Sequence, residues 1–203
     1  MNKNFTSLAF TESVKAVQTE NGSRKAYARA ETSGDRYRLT NKEVNFIGTR
    51  DSFYLGTTGD NGWPYVQFRG GPQGFLKVLD EETLGMADFR GNRQYISTGN
   101  IQATGRAMLF LIHYPTRERL KIWAETDVLD LGSHPELLAK LQPDDYGAKI
   151  ERMMRFRIQA YDWNCQQHIT PRYTVEELRA AGIEVSETVN QALARNHNRF
   201  NPF

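Results

Sequence analysis

Apolar and polar residues alternate through the middle of the chain, and short turn-forming clusters punctuate the alternation. "SFYLGTT" (Ser52–Thr58) is an aromatic and β-branched run that stops at "GDNGWP", where Asp60, Asn61, Gly62 and Pro64 supply turn chemistry. "YVQFR" (Tyr65–Arg69) answers as the returning strand of a hairpin. "GFLKVLD" and "TLGMADF", separated by the acidic "DEE", form a second such pair. "RAMLFLIHY" (Arg106–Tyr114) is nearly all apolar and reads as a strand buried on both faces. In "RLKIWAETDVLD", Leu120, Ile122 and Ala124 share one side and Lys121, Trp123 and Glu125 the other. "RMMRFRIQAYDW" is the last strand, with Met154, Phe156, Ile158 and Ala160 on one face.

Helical signals are sparse. One short helix is expected near Ser13–Gln18 and another over Gly91–Gly99. A third is capped by Ser133, with Pro135 in its first turn and Leu137, Leu138 and Leu141 behind. "TVEEL" from Thr174 reads as a capping box with Glu177. Sequential antiparallel strands with few helices predict a mainly β fold with peripheral helices, a closed barrel rather than a doubly wound sheet. The organisation that follows is a polar N-terminal extension (1–40), a strand-rich domain (41–165) and a C-terminal tail with a short helix (166–203).

Composition narrows the function classes. The chain has 203 residues, enough for one domain with extensions and a sizeable core. Its net charge is only +2, which argues against nucleic acid as the main partner. Cys165 is the only cysteine, so an intramolecular disulfide is excluded and a reducing cytoplasm is expected. The first residues carry no apolar core of secretory type, and no apolar run reaches membrane-spanning length.

Candidate chemistry is concentrated at two corners. His113, His134, His168 and His197 have no metal-ligand partner at helical or hairpin spacing, so no metal site is expected. No nucleophile elbow or Walker-type loop occurs, and Cys165, beside aromatic residues, reads as inert. "FRGGP" places Arg69 at a strand end, followed by two glycines that permit positive φ and a close ligand approach. "MADFRGNRQYISTGNI" places Arg90 and Arg93 where a strand gives way to a helix. If the two hairpins are neighbours, these corners share one end of the barrel and form a pocket for a phosphate-bearing ligand.

The stretch "RDSFYLGTTGDNGWPYVQFRGGPQGFLKVLDEETLGMADFRGNRQYISTGNI" resembles the flavin-binding proteins related to pyridoxamine 5'-phosphate oxidase. The likeness lies in the strand "FYLGTT", the turn "DNGWP", and an asparagine, Asn100, seven residues after Arg93, and it runs from about Glu43 to Asp130. The ending "DWNCQQHITPR" and the opening "AFTESVKAVQ" and "GSRKAY" are similar to a subfamily of flavin-nucleotide-binding proteins rather than to the oxidase itself. The resemblance implies a six-stranded antiparallel split β-barrel that forms a homodimer, with FMN held between the subunits. It implies that Arg93 binds the FMN phosphate, and that Gln67, Phe68, Arg69 and Gly70 lie along the ribityl chain and ring edge. Ala87 and Asp88 are implied on the neighbouring strand, and Arg119 as a contribution from the partner subunit. The first basic residue of the family's pair is Asn92 here, which leaves Arg90 or Arg69 to supply the second charge. Trp163 is a candidate wall of the substrate side or a core residue. The function implied is an FMN-dependent oxidoreductase acting on a small substrate. A non-catalytic flavin module, or a barrel that takes deazaflavin or haem with His113 or His168 as axial ligand, are the alternatives.

Overall fold

The computed structural model describes residues 4–32, 34–163, 166–186, 188 and 191. They fall into two compact units, residues 1–113 with 118–166, and residues 114–117 with 167–203. In the first unit, seven antiparallel strands form one sheet: β1 (Ser52–Thr58), β2 (Pro64–Gly70), β3 (Lys77–Asp80), β4 (Thr83–Phe89), β5 (Arg106–His113), β6 (Glu118–Leu129) and β7 (Ile150–Trp163). Their order is β2-β1-β5-β6-β7-β4-β3. The backbone ladder is open, since β2 pairs only with β1 and β3 only with β4. This is one strand more than the resemblance implies, because the second hairpin contributes β3 as a short edge.

The period-two pattern dictates which face is buried. Phe53 and Leu55 of β1, Leu109 and Leu111 of β5, Leu120 and Ile122 of β6, and Met154, Phe156 and Ile158 of β7 form one core with Leu84 and Met86 of β4. Each such side chain contributes roughly 1.5–3 kcal/mol by leaving water. β5 is not buried on both faces as its composition suggests. Ala107, Leu109 and Leu111 point inward, and Met108, Phe110 and Ile112 stay half-buried within the chain. β4 is buried at five consecutive positions, because its outer face is covered too. There Ala87 meets Leu141 and Met153 in a second, smaller cluster.

Three helices occupy the N-terminal segment where the pattern gives one: α1 (Phe5–Ala9), α2 (Glu12–Glu20) and α3 (Arg24–Glu31). α2 and α3 bury no side chain, and side-chain caps hold α1 and α2. Thr11 accepts from Val14 N–H to cap α2, and the buried Asn4 caps α1. Phe5 stacks on Trp123 of β6, 6.2 Å between centroids, so this arm lies against the outer side of the sheet. α4 (Asn41–Gly48) opens with a capping box between Thr40 and Glu43 and buries Ile47.

α5 (Ile96–Thr104) starts later than the Gly91–Gly99 expected. Arg93 and Tyr95 sit in the left-handed region, with φ of 62° and 54°, which delays the helix. α6 (Pro135–Leu141) is entered through His134 rather than Ser133, which ends a single 3₁₀ turn. In the second unit, α7 (Val175–Ala180) carries the Thr174/Glu177 capping box read from the sequence. Arg172 lies over the Tyr114 ring there, 5.1 Å from its centroid.

The "GG" pair after Arg69 has a packing role. Neither Gly70 nor Gly71 adopts positive φ. A Cβ on Gly71 would fall 2.6 Å from Phe75 Cγ, so its bare Cα is what lets Phe75 reach the core and stack on Phe53. No helix among the described residues is long and apolar enough to cross a membrane.

Candidate ligand cleft

β2 and β4 stand first and sixth in the sheet order, yet their side chains meet. Arg69 Nη1 donates to Asp88 Oδ1 at 2.6 Å, with the two side chains only 12% and 6% exposed. The start of α5 lies in the gap between these strands. Ser97 Oγ donates to Gln67 Oε1 of β2 (2.8 Å), and Asn100 Nδ2 donates to Thr57 Oγ1 of β1 (3.0 Å). On the other side, Arg152 Nη1 of β7 donates to Thr98 Oγ1 at 3.3 Å. The sheet edges are thus drawn together by side chains and a helix, where backbone pairing is absent.

The resulting cleft is narrow, with a cavity volume of about 50 Å³, and opens to solvent. Tyr65, Gln67 and Arg69 line one wall, Asp88 the other, and the loop from Gly91 to Tyr95 with Ile96–Thr98 closes one end. No side chain caps the N-terminus of α5, since its N-cap is the left-handed Tyr95. The first N–H groups of a helix lack intrahelical acceptors and carry the positive end of its dipole. Arg93 Nε donates to Tyr95 Oη at 3.3 Å, and this bond raises the already high pKa of Arg93. Tyr95 Oη in turn donates to Glu151 Oε1 at 3.3 Å.

The charges around the cleft do not cancel. Asp88 is shared by Arg69 and Arg152, and Glu151 by Arg152 and Arg90. With Arg93, that makes four guanidinium groups against two carboxylates. Arg69 Nε is buried and makes no hydrogen bond among the described residues. A buried donor without a partner is costly, and an anionic or carbonyl-bearing ligand in the cleft would supply one.

Of the residues singled out in the sequence, Gln67, Arg69, Asp88, Asn92 and Arg93 converge on this cleft. The others do not line it. Phe68 and Gly70 fall on the opposite face of β2 by strand alternation, and Phe68 is 60% exposed. Ala87 points to the small cluster behind β4 for the same reason. Arg119, opposite Ile112, has its guanidinium 6.0 Å from the Phe110 ring on the outer side of the sheet. Arg90 is not part of the lining and pairs with Glu151 instead, which leaves Arg69 as the second cleft arginine.

Trp163 is a packing residue. Its Nε1 donates to Glu43 Oε1 at 2.6 Å, Phe46 meets its ring edge-on at 4.8 Å, and Lys42 Nζ lies 4.1 Å above it. Burial pushes the Glu43 carboxyl up, but bonds from Thr40 and Trp163 outweigh it and hold Glu43 below the ordinary carboxylate value. His113 ends β5 and does not line the cleft. Asn164, Cys165 and His197 lie outside the described residues.

Sequence reasoning missed Tyr65, Ser97, Thr98, Glu151 and Arg152 as neighbours of the cleft. Tyr65 and Ser97 were within reach of it, since both fall in or beside stretches already marked. Glu151 and Arg152 were not, because only the register Asp88↔Arg152 between β4 and β7 brings them there.

Neither a protein-family model nor a curated protein matches the sequence. Solved structures do. The chain superposes on a HupZ variant from Group A Streptococcus with a TM-score of 0.51 and 11% identity, over 62% of this chain and 99% of that one. A protein related to general stress protein 26 of B. subtilis (pyridoxinephosphate oxidase family), from Clostridium acetobutylicum, gives 0.46 and 12% identity, over 68% and 94%. An FMN-binding protein from Syntrophomonas wolfei gives 0.48 and 15% identity, over 76% and 96%. At these identities it is the fold that is shared, and the HupZ superposition carries that statement.

Proposed function

We propose that the chain is an FMN-binding protein of the pyridoxamine 5'-phosphate oxidase-related split-barrel family, and that the cleft between β2, β4 and α5 holds the phosphate end of the flavin. One observation supports this most: Arg93 and Arg69 line the cleft beside an uncapped helix N-terminus, and Arg69 Nε is a buried donor that has no acceptor among the described residues. A phosphate monoester carries about −1.5 to −2 charge at pH 7 and offers acceptor oxygens to those donors. Arg93 and the N–H groups at the start of α5 would bind the phosphate. Gln67 and Arg69 would follow the ribityl chain and the polar edge of the ring, and Arg69 would stabilise negative charge there.

The flavin, when bound, supplies hydride and electron transfer, and the protein supplies position and electrostatics. The outer face of β2, β1 and β5 fits a second copy of the chain. Val66 and Phe68 are 64% and 60% exposed there, and Met108 and Phe110 remain half-buried beside them. Arg119 stands on that face and would approach the flavin of the partner subunit.

The activity that follows is that of a flavin-dependent oxidoreductase acting on a small substrate. A binding module without turnover is the second reading. It is favoured by the pairing of both cleft carboxylates with arginines, which leaves neither as a ready proton acceptor. A visible spectrum of the purified protein tests the first claim, and flavin absorption bands are expected. Bleaching of those bands by NADH or NADPH selects the oxidoreductase. A bound flavin that neither donor reduces selects the module, and a haem spectrum overturns the flavin assignment.

A further inference from the structure

Arg152 touches more of the cleft's frame than any residue named from the sequence. It projects from β7 opposite Asp88, and its side chain is 15% exposed. Its Nε lies 3.5 Å from Asp88 Oδ2, its Nη2 donates to Glu151 Oε2 at 2.6 Å, and its Nη1 donates to Thr98 Oγ1 at 3.3 Å. Its guanidinium carbon sits 4.5 Å from the centroid of the Tyr95 ring. All three nitrogens are therefore used within the protein, and Arg152 does not line the cleft.

What it holds is a strained corner. Tyr95 is a non-glycine residue at φ 54° that serves as N-cap of α5 without a side-chain cap bond. Such a conformation persists only when its surroundings impose it. Here the cation–π contact fixes the ring, Glu151 fixes the phenol oxygen, and the bond to Thr98 fixes the first turn of the helix. Through the same phenol oxygen the restraint passes to Arg93.

We propose that Arg152 is the positioning residue of the phosphate site: resting on the monophosphate reading of the cleft, it orients Tyr95 and the first turn of α5 so that the helix N–H groups and Arg93 face the ligand's phosphate. It acts through those groups and makes no ligand contact of its own. A lysine cannot take its place, because one ammonium cannot fork between Asp88, Glu151 and Thr98 while covering an aromatic face.

The test is a titration of parent, Arg152→Met, Arg152→Lys and Thr98→Val proteins with FMN and with riboflavin, at fixed salt and with the melting temperature of each recorded. Arg152→Met should weaken FMN by about 10- to 100-fold while riboflavin changes by less than roughly threefold. Arg152→Lys should recover only part of the loss. Thr98→Val removes one partner of Arg152 and keeps its shape, so it should lower FMN affinity by a few-fold even if the Met variant does not fold. Unchanged FMN affinity in the Arg152→Met and Thr98→Val proteins overturns the positioning role. An equal loss of both flavins together with a fall in melting temperature overturns it in favour of a purely structural one. A parent protein that binds neither flavin, or both equally well, instead overturns the monophosphate reading on which the proposal rests.

Discussion

Arg69 and Asp88 join strands that the backbone keeps apart. Their 2.6 Å contact links β2, an edge of the sheet, to β4, which is separated from it by β1, β5, β6 and β7. The pair is nearly buried, and Arg152 shares its carboxylate. A buried carboxylate with two arginine partners is a seam of fixed geometry, and the cleft opens along that seam. The arrangement also explains why a cleft forms here. Backbone ladders leave no room between strands, whereas side chains reaching across a gap do.

Arg93→Ala should weaken FMN by about ten- to several hundred-fold, taking roughly 1.5–3 kcal/mol for each charge-assisted hydrogen bond lost and 1.4 kcal/mol per decade of affinity. Riboflavin, which lacks the phosphate, should lose far less. Fluorescence quenching at fixed salt measures both. Equal FMN affinities for mutant and parent would return Arg93 to the role of a solvated turn residue.

The exposed row on β2 predicts a two-fold dimer. Light scattering at micromolar concentration should report twice the 23.3 kDa of one chain. Phe68→Asp should shift the mass to that of a single chain without unfolding it, since Phe68 contributes nothing to the core within its own subunit. A parent protein that scatters as a monomer would remove the dimer.

The Glu43–Trp163 bond makes stability depend on pH. The carboxyl is held below its ordinary value of 4.5 in the folded chain. Its contribution is therefore complete above that value and is lost as pH falls through the lower, folded-state pKa. Glu43→Gln should cost about 1–3 kcal/mol at neutral pH and flatten the acid side of the stability profile. Urea titrations followed by tryptophan fluorescence at neutral pH and below 4.5 would show this. Parallel profiles for mutant and parent would contradict it.

Gly71→Ala should destabilise the protein by roughly 1–3 kcal/mol, because the new methyl group collides with Phe75 and overpacks the core. Flavin affinity should change little if Gly71 is a packing glycine. A selective loss of flavin with unchanged stability would restore the idea that the glycine pair admits the ligand.

Much of the fold was legible because strand alternation is a local signal. The inward face of β6 was readable residue by residue and that of β7 as far as Ile158, beyond which a bulge sets Ala160 opposite Trp123 and turns Tyr161 into the core; the Thr174 capping box was readable too. The outward face of β5 was not, because Met108 and Phe110 are as apolar as the residues that reach the core. Alternation also bears on the site. Gln67 and Phe68 are neighbours on one strand, so only one of them can face a given cleft. The start of α5 was misplaced because Arg93 and Tyr95 take left-handed backbone without being glycine, and composition gives no sign of that. Glu151 and Arg152 were invisible for a different reason. Their role depends on which strands become neighbours, and that is decided by the whole sheet.

The strand order also sets a timetable. As the chain is synthesised, Arg69, Asp88 and Arg93 all emerge before any of β5, β6 or β7, although those strands later stand between the two hairpins. Glu151 and Arg152, which tie Tyr95 and Thr98 in place, arrive with the last strand of the sheet. The residues that line the cleft are thus delivered early and the brace that ties its helix is delivered late. A nascent chain stopped before residue 150 would carry both cleft arginines without the residue that ties Tyr95 and Thr98 in place, and the shape of the cleft becomes a property of the finished sheet alone.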